Sequence, residues 1–147
     1  MKQTMRVLAV LAAGALLALP PARAEERLYT EGHVWVVTMV KVNFGQRLPY
    51  LNEVMPLRKK VEDEARKQGL LLSSHTLVGD PADRGDFDVM FLQEYKNWAA
   101  FDGLVDKFLA IGEKIIGPQE QQTQMLVKRA EVREVLGTKN MQELLPK

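Results

Sequence analysis

The fold of this chain is decided by the stretch HVWVVTMVKV, which occupies residues 33–42. Its length and its β-branched side chains predict a strand. Because side chains alternate between the two faces of a strand, most of the valines lie on one face, and Trp35, Val37 and Met39 lie on the other. Both faces are apolar, so we expect both to be covered in the native protein.

The sequence after this strand predicts an amphipathic helix. Pro49 suits a first helical turn, and Gly69 suits the left-handed residue that ends a helix, so we predict a helix over residues 48–68. Pro56 removes a backbone hydrogen bond inside this helix, which predicts a kink or a break into two helices there.

The second half of the chain predicts a β-hairpin followed by two helices. Residues 70–78 and 87–95 have the composition of strands, and the segment between them is rich in Gly, Asp and Pro, which is typical of a polar turn. Asn97 can cap a helix that follows the hairpin. Pro118 can begin a further helix, which we expect to end near residue 136.

With a short last strand over residues 139–145, the predicted order is strand, helix, strand, strand, helix, extra helix, strand. This is the βαββαβ order of a ferredoxin-like α+β domain with a four-stranded antiparallel sheet and an extra C-terminal helix. Helices cover only one face of such a sheet, and the face with Trp35, Val37 and Met39 would remain open. A second copy packed sheet against sheet would cover that face, so we expect a homodimer.

The first residues have the pattern of a secretory signal peptide. Basic residues precede an apolar run at residues 7–19, and the small-residue triplet Ala-Arg-Ala follows at residues 22–24. The run is shorter than the roughly 20 residues that a membrane-spanning helix needs. We therefore expect removal of residues 1–24, and residues 25–147 as a single ferredoxin-like domain that is periplasmic or secreted.

Charge and cysteine content narrow the classes of function. The sequence has 20 Lys and Arg against 19 Asp and Glu, and removal of residues 1–24 takes away three basic residues, which leaves 17 against 19, a net charge of −2. This balance is not typical of nucleic-acid binding. The absence of cysteine excludes thiol catalysis, thiolate metal sites and a lipoprotein anchor. We expect no nucleic-acid partner, and no membrane association after cleavage.

No decisive catalytic motif is present, so catalytic residues remain unassigned. Ser74 and His75 are neighbours on a predicted strand and point to opposite faces, which argues against a local Ser-His pair. Four aspartates at residues 80–88 lack the spacing of a calcium loop and are typical of a polar turn. The sequence contains neither a phosphate-binding loop nor a zinc-binding helix motif, and we predict no metal site.

Four residues are candidates for binding a ligand: Trp35, Met39, His75 and Glu94. Trp35 and Met39 either pack in a core or interface, or wall an apolar cavity between two sheets. His75 is a ligand or a general base if its face lines a barrel interior, and a hydrogen-bonded core residue if it faces helices. Glu94 supplies a polar group at the cavity mouth or is a strand-end charge. His33 is expected at an exposed strand end.

Several short stretches resemble members of the dimeric α+β barrel superfamily. They are the strand around Trp35, Tyr50-Leu51, Glu64-Ala65 with Gly69-Leu70, Glu94-Tyr95-Lys96-Asn97, and Arg129 with Arg133-Glu134-Val135-Leu136-Gly137. The resemblance covers most of residues 30–145, and within the superfamily it is to small exported bacterial proteins that carry no assigned activity. It implies the ferredoxin-like fold and a homodimer, and it does not transfer an activity.

Two classes of function are compatible with these observations. The first is an exported protein that binds a small apolar ligand or is associated with stress, without catalysis and without a cofactor. The second is implied by the monooxygenases of the same superfamily: a haem-dependent or cofactor-light oxidoreductase that uses the intersheet cavity and His75. Haem-degrading members place His, Trp and Asn around the porphyrin, and His75, Trp98 and Asn97 of this chain do not match that arrangement.

Cleavage of the signal peptide gives a direct test of the compartment. We expect exported protein to begin at Glu25, because the Ala-Arg-Ala triplet ends at Ala24. Intact-mass spectrometry of the exported protein measures this. A mature species that retains residues 1–24 would contradict the predicted localisation.

Overall fold

The computed structural model describes residues 26–147, so the predicted signal peptide at residues 1–24 lies outside the described residues. Strands and helices follow one another in the order β1, α1, β2, β3, α2, α3, β4. Their bounds are Tyr29–Val42 for β1, Arg47–Lys67 for α1, Ser73–Val78 for β2, Val89–Tyr95 for β3, Leu104–Ile115 for α2, Gln119–Ala130 for α3 and Arg133–Pro146 for β4. A short 3₁₀ turn, Trp98–Phe101, precedes α2.

The four strands form one antiparallel sheet in the order β2-β3-β1-β4. β1 lies inside the sheet, where Val40 pairs with Val89 of β3 and with Val135 of β4. This strand order, with α1 and α2 as the connecting helices, confirms the predicted ferredoxin-like α+β fold. α3 is the extra C-terminal helix, inserted between α2 and β4.

The helices cover one face of the sheet only. The two buried clusters that contain helix residues take Val36, Val40 and Val42 from β1, and all three lie on the same face of that strand. The first cluster packs below the start of α1, and the second packs below the end of α1 and α2. No helix within residues 26–147 contributes to a cluster with the opposite face, which we call the open face.

α1 is a single helix, so of the predicted kink or break at Pro56 the break is wrong. Pro56 and Asn52 are both exposed. Pro56 has no N–H to donate to the carbonyl oxygen of Asn52. Because both residues are exposed, water can donate the missing hydrogen bond to this oxygen. At the other end, Gly69 has a φ of +69° as predicted, and Leu70 N donates to Ala65 O at 2.9 Å, which closes the helix with a Schellman motif.

The last helix and the last strand have different bounds from those predicted. α3 ends at Ala130 rather than near residue 136, and β4 begins at Arg133 rather than at residue 139. Pairing with β1 explains the difference, because Arg133 lies opposite Val42 and the long β1 offers backbone partners to residues whose helical periodicity is weak. Tertiary pairing therefore overrides the local preference.

Other differences from the predicted element bounds are smaller, and they arise from strand pairing or from local backbone conformation. β1 begins at Tyr29, four residues earlier than predicted, because β4 extends far enough to pair with it. Asn97 caps the 3₁₀ turn, where its side chain accepts a hydrogen bond from Ala100 N at 3.2 Å. α2 begins only after Gly103, which has a φ of +63°.

Two irregularities interrupt the pairing of β1 with β4. The register shifts between Glu31 and Val34, and again between Met39 and Val40, where Leu136 is the extra residue of β4. Such bulges bend a strand and increase its twist. Among residues 26–147, no helix is both long and apolar enough to cross a membrane.

Candidate functional site

The open face carries an apolar centre bordered by polar side chains. Strand register places residues of all four strands on it. They are Trp35, Val37 and Met39 of β1, Ser73, His75 and Leu77 of β2, Met90, Leu92 and Glu94 of β3, and Lys139 and Met141 of β4. The predicted site residues Trp35, Met39, His75 and Glu94 therefore share one face of the sheet.

A carboxylate at one end of the open face connects two neighbouring strands. Glu94 Oε1 lies 2.6 Å from Nδ1 of His33, and Glu94 Oε2 accepts a hydrogen bond from Ser73 Oγ. Because a carboxylate only accepts hydrogen bonds, Nδ1 of His33 carries the proton in this contact. The backbone N of His33 also donates to Glu143 Oε2 at 3.1 Å. A Cβ atom at position 32 would clash with Glu143, so Gly32 permits this close approach.

These contacts lower the pKa of Glu94. The hydrogen bond from Ser73 is the largest cause, and the hydrogen bond and positive potential of His33 add to it, whereas partial burial acts in the opposite direction. The pKa of Glu94 therefore lies below its ordinary value of 4.5. At neutral pH the group is a fixed anion.

The order of the three groups argues against acyl-transfer chemistry. In a nucleophilic triad the imidazole stands between the hydroxyl and the carboxylate, so that it can take the hydroxyl proton. Here the carboxylate of Glu94 stands between Ser73 and His33. Ser73 donates a hydrogen bond to the weakly basic carboxylate of Glu94, so its hydroxyl is not activated as a nucleophile. The arrangement instead provides a rigid acceptor at the end of an apolar surface.

The imidazole of His75 lies on the open face and not against the helices. Its ring is stacked on Trp35, with ring centroids 6.1 Å apart and planes inclined by 27°. Of the two predicted locations for His75, the structure shows the one that faces away from the helices. Met39 lies four residues further along β1, beside Gly137 of β4, which leaves room for its side chain.

Other residues considered from the sequence have structural roles. Trp98 Nε1 donates to Gln142 Oε1 at 2.8 Å, and Asn97 is used as a cap, so neither joins His75. Ser74 points to the helix side and donates to Glu62. Asp88 is buried and accepts from Val42 N at 2.8 Å. In the described part of the chain, no group of three or more His, Asp or Glu side chains could hold a metal ion.

The role of His33 is the feature that sequence reasoning missed. His33 was expected at an exposed strand end, whereas its side chain is partly covered and bonded to Glu94, which is 61 residues away in sequence. Only the register of β1 against β3 brings the two together, since Trp35 lies directly opposite Glu94. An acidic residue near the end of a predicted strand was the only sequence signal.

Comparison with known proteins finds structural similarity at low sequence identity. No protein-family model matches this chain, and no curated protein matches it. The chain is similar to a dimeric ferredoxin-like protein from an uncultured marine organism, with 16% identity and a TM-score of 0.49 over 79% of this chain and 96% of the other. It is also similar to a dimeric ferredoxin-like protein of unknown function from Thermobifida fusca YX, with 13% identity and a TM-score of 0.45 over 83% of this chain and 100% of the other.

The adjacent serines of β2 provide a matched test of this site. We expect Ser73→Ala to raise the pKa of Glu94 towards 4.5, because it removes the largest cause of the shift. Ser74→Ala should leave it unchanged, because Ser74 bonds to Glu62 on the other face. Carboxyl-carbon NMR titration measures both pKa values. An equal effect of the two substitutions would show that the Ser73 bond does not hold Glu94.

The lowered pKa of Glu94 makes the stability of the fold depend on pH. A carboxyl group with a lowered pKa in the folded state stabilises the fold above its unfolded pKa, and this contribution is lost as the pH falls through the folded pKa. The wild-type free energy of unfolding should therefore decrease below about pH 4.5, and the Ser73→Ala variant should lose less over the same range.

Proposed function

We propose that this protein is an exported homodimer that binds a small apolar ligand between the open faces of two subunits, and that it acts by binding rather than by catalysis. The observation that supports this proposal is the composition of the open face. Its centre is apolar, and its one end carries the Glu94 acceptor. Such a surface suits a ligand with an apolar body and one hydrogen-bond donor.

A second copy of the chain is the occupant that the open face fits best. Val37, at its centre, is only 8% exposed even in a single subunit, because neighbouring side chains on β3 and β4 crowd around it. Leu77 and Met141 at the margins are about half exposed. Contiguous apolar surfaces of this kind are typical of interfaces in soluble proteins. The compartment in this proposal comes from the signal-peptide pattern of residues 1–24.

Binding is favoured over catalysis because the polar groups of the site are already hydrogen-bonded or stacked within the subunit. Glu94 is anionic and already accepts two hydrogen bonds, so it is a weak general base. Ser73 is not activated. His75 is stacked on Trp35, and within residues 26–147 no acid or base makes a hydrogen bond to its ring. These groups can orient a ligand without reacting with it.

A charge at the centre of the open face should separate the subunits. We expect Val37→Asp to convert the dimer into a monomer, because burying a carboxylate in the interface is costly even with Lys139 opposite it on β4. Light scattering coupled to size-exclusion chromatography measures the mass. Leu77→Asp is a second variant with the same purpose at a position that is 54% exposed in the single subunit, so it should not disturb the fold.

The matched control for this experiment is Val105→Asp. Val105 is 72% exposed on α2, on the opposite side of the sheet, and the substitution adds the same charge. This variant should remain dimeric. A folded wild-type monomer at micromolar concentration would contradict the proposed dimer, as would dissociation by all three substitutions alike.

Ligand binding can be followed with the tryptophan of the site. The chain has two tryptophans, so Trp98→Phe leaves Trp35 as the single reporter. We expect the neutral apolar probe N-phenyl-1-naphthylamine to quench Trp35 emission saturably in this background, and to fail once Val37→Asp is added, because the enclosed site needs both subunits. Equal quenching in the dimer and the Val37→Asp variant would contradict an enclosed site.

Haem titration in the same background distinguishes the oxidoreductase alternative. A Soret band that forms at one haem per subunit and disappears in His75→Ala would favour that alternative, because it requires an axial imidazole. We expect no such band, since the described contacts of His75 provide no hydrogen-bonded group that would orient its ring for ligation.

A further inference from the structure

A cavity lies on the helix side of the sheet, away from the open face. Its volume is about 230 Å³, and it lies between α1, α2, α3 and β3. Its apolar wall is formed by Val54, Leu57 and Val61 of α1 with Phe108 and Ile116, and its polar groups are Arg58, Glu62, Gln93 and Arg129. An apolar wall with few convergent polar groups is the usual composition of a small-molecule site.

Two arginines with unused hydrogen-bonding capacity, Arg58 and Arg129, line this cavity, and Arg133 is not among its lining residues. Within residues 26–147, three buried side-chain nitrogen atoms lack a hydrogen-bond partner: Arg58 Nη2, Arg129 Nη2 and Arg133 Nε. Buried donors are normally paired, because an unpaired donor loses its bonds to water without replacement. All three atoms belong to guanidinium groups, which are the groups that bind carboxylates with two parallel hydrogen bonds.

Arg129 has the clearest unused donor. Its side chain is 14% exposed, and its Nε donates to Glu53 Oε1 at 3.2 Å, which leaves Nη2 without an acceptor. Arg58 differs, because its Nη2 lies 2.6 Å from Glu62 Oε1 but does not direct an N–H at that oxygen. We regard Arg58 as paired with Glu62 by charge and Arg129 as the principal free donor.

The local charge balance also favours an anion. Two guanidinium groups, those of Arg58 and Arg129, and the carboxylate of Glu62 line the cavity, and Glu53, which accepts from Arg129 Nε, lies outside the lining. Two guanidinium groups against one carboxylate leave one positive charge in the lining of the cavity. The Arg58 guanidinium lies 4.3 Å from the centroid of the Phe91 ring, which holds it in position at the cavity.

We infer that this cavity is a binding site for a small organic acid, with its carboxylate at Arg129 and its apolar body between α1 and α2. An engineered cavity of about 150 Å³ accommodates benzene. The cavity of about 230 Å³ therefore has room for an aromatic or branched body of that size together with an acid group. Phosphate or another inorganic anion would satisfy Arg129 but would leave the apolar wall in contact with water.

Burial of Arg58 is consistent with this site. Desolvation lowers the pKa of Arg58, and Glu62 opposes this effect by favouring the charged form. A ligand carboxylate in the cavity would add to the effect of Glu62. The site is independent of the proposed dimer, since its lining residues lie on the helix side of the sheet.

Phenylacetate is the probe that tests this inference, with 2-phenylethanol, acetate and inorganic phosphate as comparison ligands. Isothermal titration calorimetry should show that phenylacetate binds at least about tenfold more tightly than each of the other three, because only phenylacetate has both the charge and the apolar body. Phosphate or acetate binding as tightly would show that the site recognises charge alone. Equal binding of 2-phenylethanol would show that the arginine is not used. Either result would overturn the inference.

Two substitutions locate the binding within the cavity. Arg129→Gln should weaken phenylacetate binding by about tenfold or more, whereas the matched control Lys128→Gln, an exposed neighbour on the same helix, should leave it unchanged. Leu57→Phe narrows the cavity without changing charge and should also weaken binding. Circular dichroism confirms folding of each variant. Unchanged affinity in both Arg129→Gln and Leu57→Phe would overturn the inference.

The Val37→Asp variant separates this site from the proposed dimer. Because the helix-side cavity is complete within one subunit, the variant should bind phenylacetate with wild-type affinity whether or not it dissociates. Loss of binding in a folded Val37→Asp variant would mean that the second subunit contributes to the site, and it would contradict a cavity within one chain.

Discussion

β1 exchanges backbone hydrogen bonds with β3 along one edge and with β4 along the other, and its register determines which side chains share a face. Val40 lies opposite Val89 and Val135, which places the valines of β1 below the helices. A shift of one residue would place Trp35 and Met39 in the core and the valines on the open face. Both candidate sites therefore depend on this single register.

The same alternation distributes polar residues to the two sides of the sheet. On β3, Gln93 points to the helix side and lies 3.5 Å from Glu62, whereas Glu94 points to the open face. On β2, Ser74 bonds to Glu62 at 2.7 Å and Ser73 bonds to Glu94. Each side thus has a carboxylate that accepts a hydrogen bond from a serine hydroxyl, and this carboxylate is buried at Glu62 and partly covered at Glu94. The sheet separates the carboxylates of Glu62 and Glu94, so each one acts only on the groups on its own side.

The parts of the fold that could be predicted from sequence are those with a local cause. Residues 33–42 predict a strand because the pattern is long and β-branched, and Gly69 marks the end of α1 because a left-handed residue is needed there. The start of β4 at Arg133 could not be predicted, since its partner Val42 is remote in sequence. α1 continues through Pro56 because this part of the helix is exposed to water. The apolar periodicity of the sequence does not show that exposure unless the core is already known.

The candidate site could be predicted only as a face and not as a set of contacts. Trp35, Met39, His75 and Glu94 were expected on strands, and alternation within each strand together with the register between strands brings them to one side. The bond between His33 and Glu94 requires the register of β1 and β3. The arginine donors of the helix side also come from two helices and a strand far apart in the chain, so no short motif contains them.

The bulge at Leu136 has a further consequence for the outer edge of the sheet. β4 is a long edge strand of 14 residues, and a flat edge of that length is a template on which strands of other molecules can add without limit. The bulge twists this edge, Lys139 places a charge along it, and Pro146 removes an amide donor at its end. These features oppose the growth of fibrils from β4.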